Sequence, residues 1–194
     1  MDTPFLAPIE KPKRLMLRLL YFVLRRKFGK VMTPLTVSSA RMPIAFLLHA
    51  SKISRLDKKL TLGDETMVLI RGRVSGLNGC LFCQDASRWY ALHKALGNTE
   101  KFDAIPDYRT SALFTAAERA ALDYATELTE NKHVERATFD RLREFYDERA
   151  VCEIAWVIAS EHLYNIGNIG LNIGSDGLCE IPAPRVARKP AEVA

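Results

Sequence analysis

The stretch Asn78-Gly79-Cys80-Leu81-Phe82-Cys83-Gln84-Asp85 sets two thiols one helical turn apart, at the start of a predicted helix. A Cys-x-x-Cys pair at this spacing can close into a disulfide without moving the backbone. The unpaired amides of a helix N-terminus also favour thiolate over thiol. Residue types and spacing together point to redox chemistry at sulfur. The plainer alternative is two small, half-buried residues filling a helix face.

A second constellation lies far along the chain. Glu161, Asn165, Asn168 and Asn172 recur at spacings of four, three and four, so they share one face of an otherwise apolar helix, with His162 beside them. Buried amides and carboxylates need partners. The stripe therefore reads either as a cavity wall that binds a polar substrate near the thiols, or as a hydrogen-bond network between helices or subunits. A non-redox lyase or hydrolase using Glu161 and His162 stays open as a third reading. His93, ten residues past Cys83, is nearly three turns along the same helix and too far to touch that sulfur.

The elements that must position these residues are helical, because no alternating strand pattern of useful length appears. The periodicity predicts helices at 12–28, 35–53, 57–76, 79–96, 115–130, 134–146 and 148–172, about seven in an all-α bundle. Gly29 and Pro34 separate the first two, and Pro43 should kink the second or move its start. Gly97 ends the cysteine helix, and 98–114 is the longest loop. Thr115-Ala116-Ala117-Glu118 is a capping box, which accounts for Glu118 without catalysis. Trp156 reads as core and Cys152 and Cys179 as packing residues, while Trp89 and Tyr90 read as pocket wall or interface. Beyond Gly174, with Pro182, Pro184 and Pro190, the segment 175–194 is expected to be an extended or frayed tail.

The 194 residues suit a single domain, 1–194, that buries a core without staples. Four scattered cysteines do not resemble a secreted disulfide scaffold, so a reducing cytoplasm is the expected location. Cys152 and Cys179 are too far apart in sequence to add a second ligand pair to Cys80 and Cys83, so no metal site is expected, and no cofactor. The net charge of +5 concentrates in the basic segment 12–28 and just after it. The apolar run Leu19–Leu24 is too short to span a bilayer and lacks a cleavage site, which argues against a membrane span and a leader. We read 12–28 as a helix that packs Leu15, Leu19 and Phe22 inward and solvates its basic face, with no nucleic-acid partner.

The run Val74-Ser75-Gly76-Leu77-Asn78-Gly79-Cys80-Leu81-Phe82-Cys83-Gln84-Asp85 resembles the core of the carboxymuconolactone decarboxylase and alkylhydroperoxidase D-like superfamily. Asp107-Tyr108-Arg109-Thr110-Ser111, Phe114 to Leu122 and the helix ending Asn165-Ile166-Gly167-Asn168 fit the same pattern, so the likeness runs from about Arg26 to Leu178. The resemblance implies an alkylhydroperoxidase D-like helical bundle and assembly into trimers, hexamers or dimers.

It also implies a dithiol–disulfide cycle in which Cys83 attacks a hydroperoxide, Cys80 resolves the sulfenic acid, and an external thiol or dithiol regenerates the pair. The decarboxylase branch typically lacks the Cys-x-x-Cys pair and is the poorer match. In the peroxidase branch a glutamate and a histidine relay protons; here those positions hold Val68 and Ser87, with Glu65 the nearest carboxylate. Ser87, Asp85, Glu65, Glu161 and His162 are the candidates for supporting roles. The expected function is thiol-dependent peroxide reduction or disulfide exchange with an atypical relay. A ligand-binding member with a decayed relay is the rival.

Overall fold

In a computed structural model, residues 3–180 are described, apart from the side chains of residues 46, 47 and 49–51. The described residues form eight α-helices and no strand: α1 (Leu15–Phe28), α2 (Pro43–Asp57), α3 (Asp64–Asn78), α4 (Leu81–Tyr90), α5 (Glu100–Asp103), α6 (Ala116–Asn131), α7 (Arg136–Arg143) and α8 (Glu148–Ile169). The chain is therefore all-α, as its periodicity predicts.

Local chemistry sets the ends of these helices. Pro43 takes the first position of α2, where its missing N–H costs nothing, and a π-helical turn at Leu35–Ser39 occupies the start of the expected 35–53 helix. The expected 57–76 helix begins only at Asp64, after Gly63. Thr115 and Glu118 close the capping box on α6. Asp147 caps α8 by accepting the Ala150 N–H at 2.8 Å. The helix stops at Ile169 and not at 172: Asn172 lies outside it with φ of 53° and donates to the Thr3 carbonyl.

Helix α3 is the central element, packed against α8, α6 and α4. Ile70 and Val74 enter a core with Ala121, Ala125, Ile154 and Ile158, while Val68 and Leu69 pack with Phe102, Ile105 and Phe114. Gly72 permits the second contact, because a Cβ there would come within 2.5 Å of the Phe102 ring.

Three expectations about packing need correction. On α1 the buried residues are Leu17 and Tyr21, while Leu15, Leu19 and Phe22 are 77%, 63% and 56% exposed. Trp156 is not core: it is 36% exposed and its indole N–H donates to Asp57. Cys152 is exposed and not packed.

The segment after α8 returns over α4. Asp85 accepts hydrogen bonds from the Ser175 hydroxyl and from the Leu178 and Cys179 amides at 2.9, 2.7 and 3.2 Å. Asp176 accepts from the Thr33 amide and hydroxyl and pairs with Lys30. Residues 175–180 are thus clasped, where a frayed tail was expected; 181–194 lie outside the described residues. No helix among the described residues is long and apolar enough to cross a membrane.

Candidate functional site

The thiol pair sits on the turn between α3 and α4. Gly79 ends α3 in the left-handed region at φ of 71°, which a side chain would strain. Cys80 follows as the N-cap of α4, and its sulfur accepts the Cys83 N–H at 3.3 Å. Cys80 and Cys83 are joined in a disulfide with Cα atoms 5.3 Å apart. Both are buried, at 1% and 5% exposure, but only Cys83 belongs to the wall of the large cavity. The first sulfur takes the helix terminus and the second faces open space.

Asn168, on α8, reaches the pair from the opposite wall. Its amide donates to the Cys83 sulfur at 3.4 Å and stands 3.9 Å from the Cys80 sulfur. A donor in this position holds a thiolate better than a thiol. The sequence marks Asn168 only as one member of a polar stripe; nothing in the chain names its partner.

The cavity measures about 810 Å³ and lies between α2, α3, α4, α8 and the 32–42 segment. Its walls are mainly apolar, with Met32, Leu35, Met42, Met67, Phe82 and Leu163 among them. One region is polar, where Glu161, Arg71, Asp57 and Tyr164 meet. Arg71 donates to Asp57 at 2.7 Å. Burial pushes the Glu161 carboxyl up to about 7, against the pull of the Arg71 charge and of the Asn165 amide that donates to it at 2.7 Å. A second, more open cavity of about 440 Å³, lined by Arg109, Asp123, Glu130 and Arg141, holds no cysteine.

The structure separates the supporting candidates. Ser87 is buried on the cavity wall one turn beyond Cys83. Val68, where the resemblance would lead one to expect a glutamate, is buried on the same wall. Glu65 is turned to Lys101 at 2.6 Å, and Lys101 also holds Glu118. Asp85 is taken up by the clasp on residues 175–179.

His162 sits off the cavity, its Nδ1 accepting from Asn78 at 3.1 Å and its Nε2 facing Thr129 at 3.3 Å. Burial lowers its pKa, which keeps the ring neutral. Asn78 also donates to Asn165, so the stripe forms a hydrogen-bonded chain from His162 to Glu161. His93 packs at a tilt against Trp89, with ring centroids 4.8 Å apart, and Trp89 packs edge-on to Phe28; Tyr90 lines the cavity. Asn165 builds a hydrogen-bond network between helices, while Glu161 and Asn168 line the cavity.

No family model matches the sequence. The uncharacterized protein YnjA of Escherichia coli (strain K12) is 30% identical over 182 residues, covering 93% of this chain and 98% of its own length. Among solved structures, the apo debrominase Bmp8 is similar with a TM-score of 0.75 and 20% identity, over 92% of this chain and 95% of that one. A cysteine-to-alanine variant of that debrominase has been solved in complex with 2,3,4-tribromopyrrole. An uncharacterized peroxidase-related protein from Silicibacter sp. TM1040 is similar with a TM-score of 0.70 and 20% identity, over 87% and 92% of the two chains.

Proposed function

The chain belongs to the family of E. coli YnjA and has the alkylhydroperoxidase D-like fold, and from that premise we propose that it is a thiol-dependent reductase acting through Cys83. The observation that carries the reading is the bonded Cys80–Cys83 pair with Cys83 turned to the cavity and the Asn168 amide on its sulfur.

In the reduced enzyme the Cys83 thiolate attacks the outer oxygen of a hydroperoxide. The O–O bond breaks, the alkoxide takes a proton from water and leaves as an alcohol, and Cys83 becomes a sulfenic acid. The Cys80 thiol then displaces water from it, forming the disulfide. An external dithiol returns two electrons and two protons. Ser87 replaces the relay base, so thiolate formation relies on Asn168 and the start of α4. Glu65 and Asp85 are engaged elsewhere; His162 and Glu161 lie away from the sulfur.

The apolar cavity supports a second substrate class. The same dithiol reduces a carbon–halogen bond with balanced products: one disulfide, one C–H bond, a halide and a proton. The likeness to a debrominase motivates the comparison. Bromide release from a brominated aromatic, measured beside peroxide consumption, decides between the two.

The test is a pH titration of Cys83 alkylation in reduced protein, read by mass spectrometry. The expected apparent pKa is below the ordinary thiol value of about 8.5. Asn168→Ala should slow alkylation at pH 7 by about tenfold, the worth of one charge-assisted hydrogen bond. Cys83→Ser should abolish turnover, and Ser87→His should raise the neutral-pH rate by up to about 10²–10⁴. An ordinary thiol pKa together with no disulfide formation under peroxide would overturn the reading.

A further inference from the structure

Glu161 is a buried carboxyl group that the thiol cycle does not use. It is 5% exposed, lines the same cavity as Cys83, and accepts one hydrogen bond, from Asn165. Glu161 lies seven positions before Asn168 on α8, so two helical turns, about 10 Å along the axis, separate it from the residue that touches the sulfur. That distance rules out direct proton transfer to an atom bonded to Cys83. It suits recognition of the other end of a ligand.

Charges on the cavity wall narrow the ligand's chemistry. Arg71 from α3 and Lys58 after α2 oppose a cation, while Asp57 from α2, Asp64 from α3 and Glu161 itself oppose an anion. Tyr90 from α4 and Tyr164 from α8 are phenols whose pKa burial raises, so they stay neutral. The remaining wall is mostly apolar. A neutral, largely apolar molecule with a hydroxyl or ring N–H satisfies all of these conditions, because its donor gives the buried carboxylate a second partner beside Asn165.

We infer that the Glu161 pole of the cavity is a recognition site for the neutral hydrogen-bond donor of an apolar ligand, whose reducible end then lies toward Cys83. The second clause rests on the thiol-reductase reading; the first does not.

The experiment measures binding to the oxidised protein, where no turnover occurs, so the outcome is independent of whether Cys83 reduces anything. The probes are 2-naphthol and 2-methoxynaphthalene, which are similar in shape but differ in the donor. Wild-type protein is expected to prefer 2-naphthol by about tenfold or more. Glu161→Leu should erase the preference while keeping affinity for the methyl ether.

Glu161→Gln, close in shape, guards against misfolding. In wild type the preference should strengthen from pH 6 to pH 8 as the carboxylate forms, and in Glu161→Gln it should be smaller and flat. Equal affinity of wild type for both probes, a preference that survives Glu161→Leu, or no binding of either probe overturns the assignment.

Discussion

Glu161 binds its proton more tightly in the folded chain than in the unfolded one, since burial lifts its pKa from 4.5 to about 7. Folding therefore favours the protonated form. Its destabilising contribution is absent below pH 4.5, grows between the two values and is complete above about 7. Replacing Glu161 with Gln removes this dependence. The stability of Glu161→Gln relative to wild type should rise by about 2–3 kcal/mol between pH 5 and pH 8, measured by urea unfolding of both proteins with the disulfide intact. His162 titrates with the opposite sign, because its folded pKa is lowered, but it is common to both proteins and cancels in the difference. An unchanged difference across that range would mean that Glu161 titrates as an ordinary carboxyl.

At the scale of elements, α3 depends on having no side chain at Gly72. Alanine there gains about 1 kcal/mol of helix propensity. Its Cβ, however, meets two Phe102 ring atoms at 2.5 and 2.8 Å and the Ile105 Cδ1 at 2.7 Å, in a packed cluster with little room to yield. Overpacking of this kind costs about 1–3 kcal/mol, so after the propensity gain Gly72→Ala should lower stability by up to about 2 kcal/mol in chemical denaturation, and a gain would show that the Phe102 segment swings away freely.

Helices, caps and the thiol turn were legible because each is written in adjacent residues: Thr115 with Glu118, Gly79 before Cys80, Pro43 at a start. The inward face of α1 was not. Its sequence carries two apolar stripes, Leu15–Leu19–Phe22 and Leu17–Tyr21, and periodicity does not say which one the chain itself covers. Asn168 was legible as polar and buried, but its sulfur partner sits 85 positions away and is set by how α8 crosses α4. Asp85 and Glu65 looked available for chemistry because nothing local announces the amides of 178–179 or Lys101 as their partners.

For the whole molecule, the apolar surface left uncovered is large. Leu15, Leu19 and Phe22 on α1, Met42 and Ile44 at the start of α2, and Leu163 and Ile166 on α8 are each more than half exposed. Met42 and Leu163 also line the cavity. Contiguous apolar exposure marks association surfaces, and Leu15, Leu19 and Phe22 recur at helical spacing on one face of α1. Light scattering should return at least twice the 21.9 kDa chain mass, and a monomer mass at every concentration would reject self-association.

The clasp on α4 has a consequence in time. Leu178 and Asp85 are 93 positions apart, so at about 5–20 residues per second the ribosome exposes the start of α4 roughly 5–20 s before the segment that clasps Asp85. Asn168 arrives almost as late. Disulfides form within seconds to hours, depending on the oxidant. The nascent chain thus presents both thiols to its surroundings before Asn168, their amide partner, has emerged.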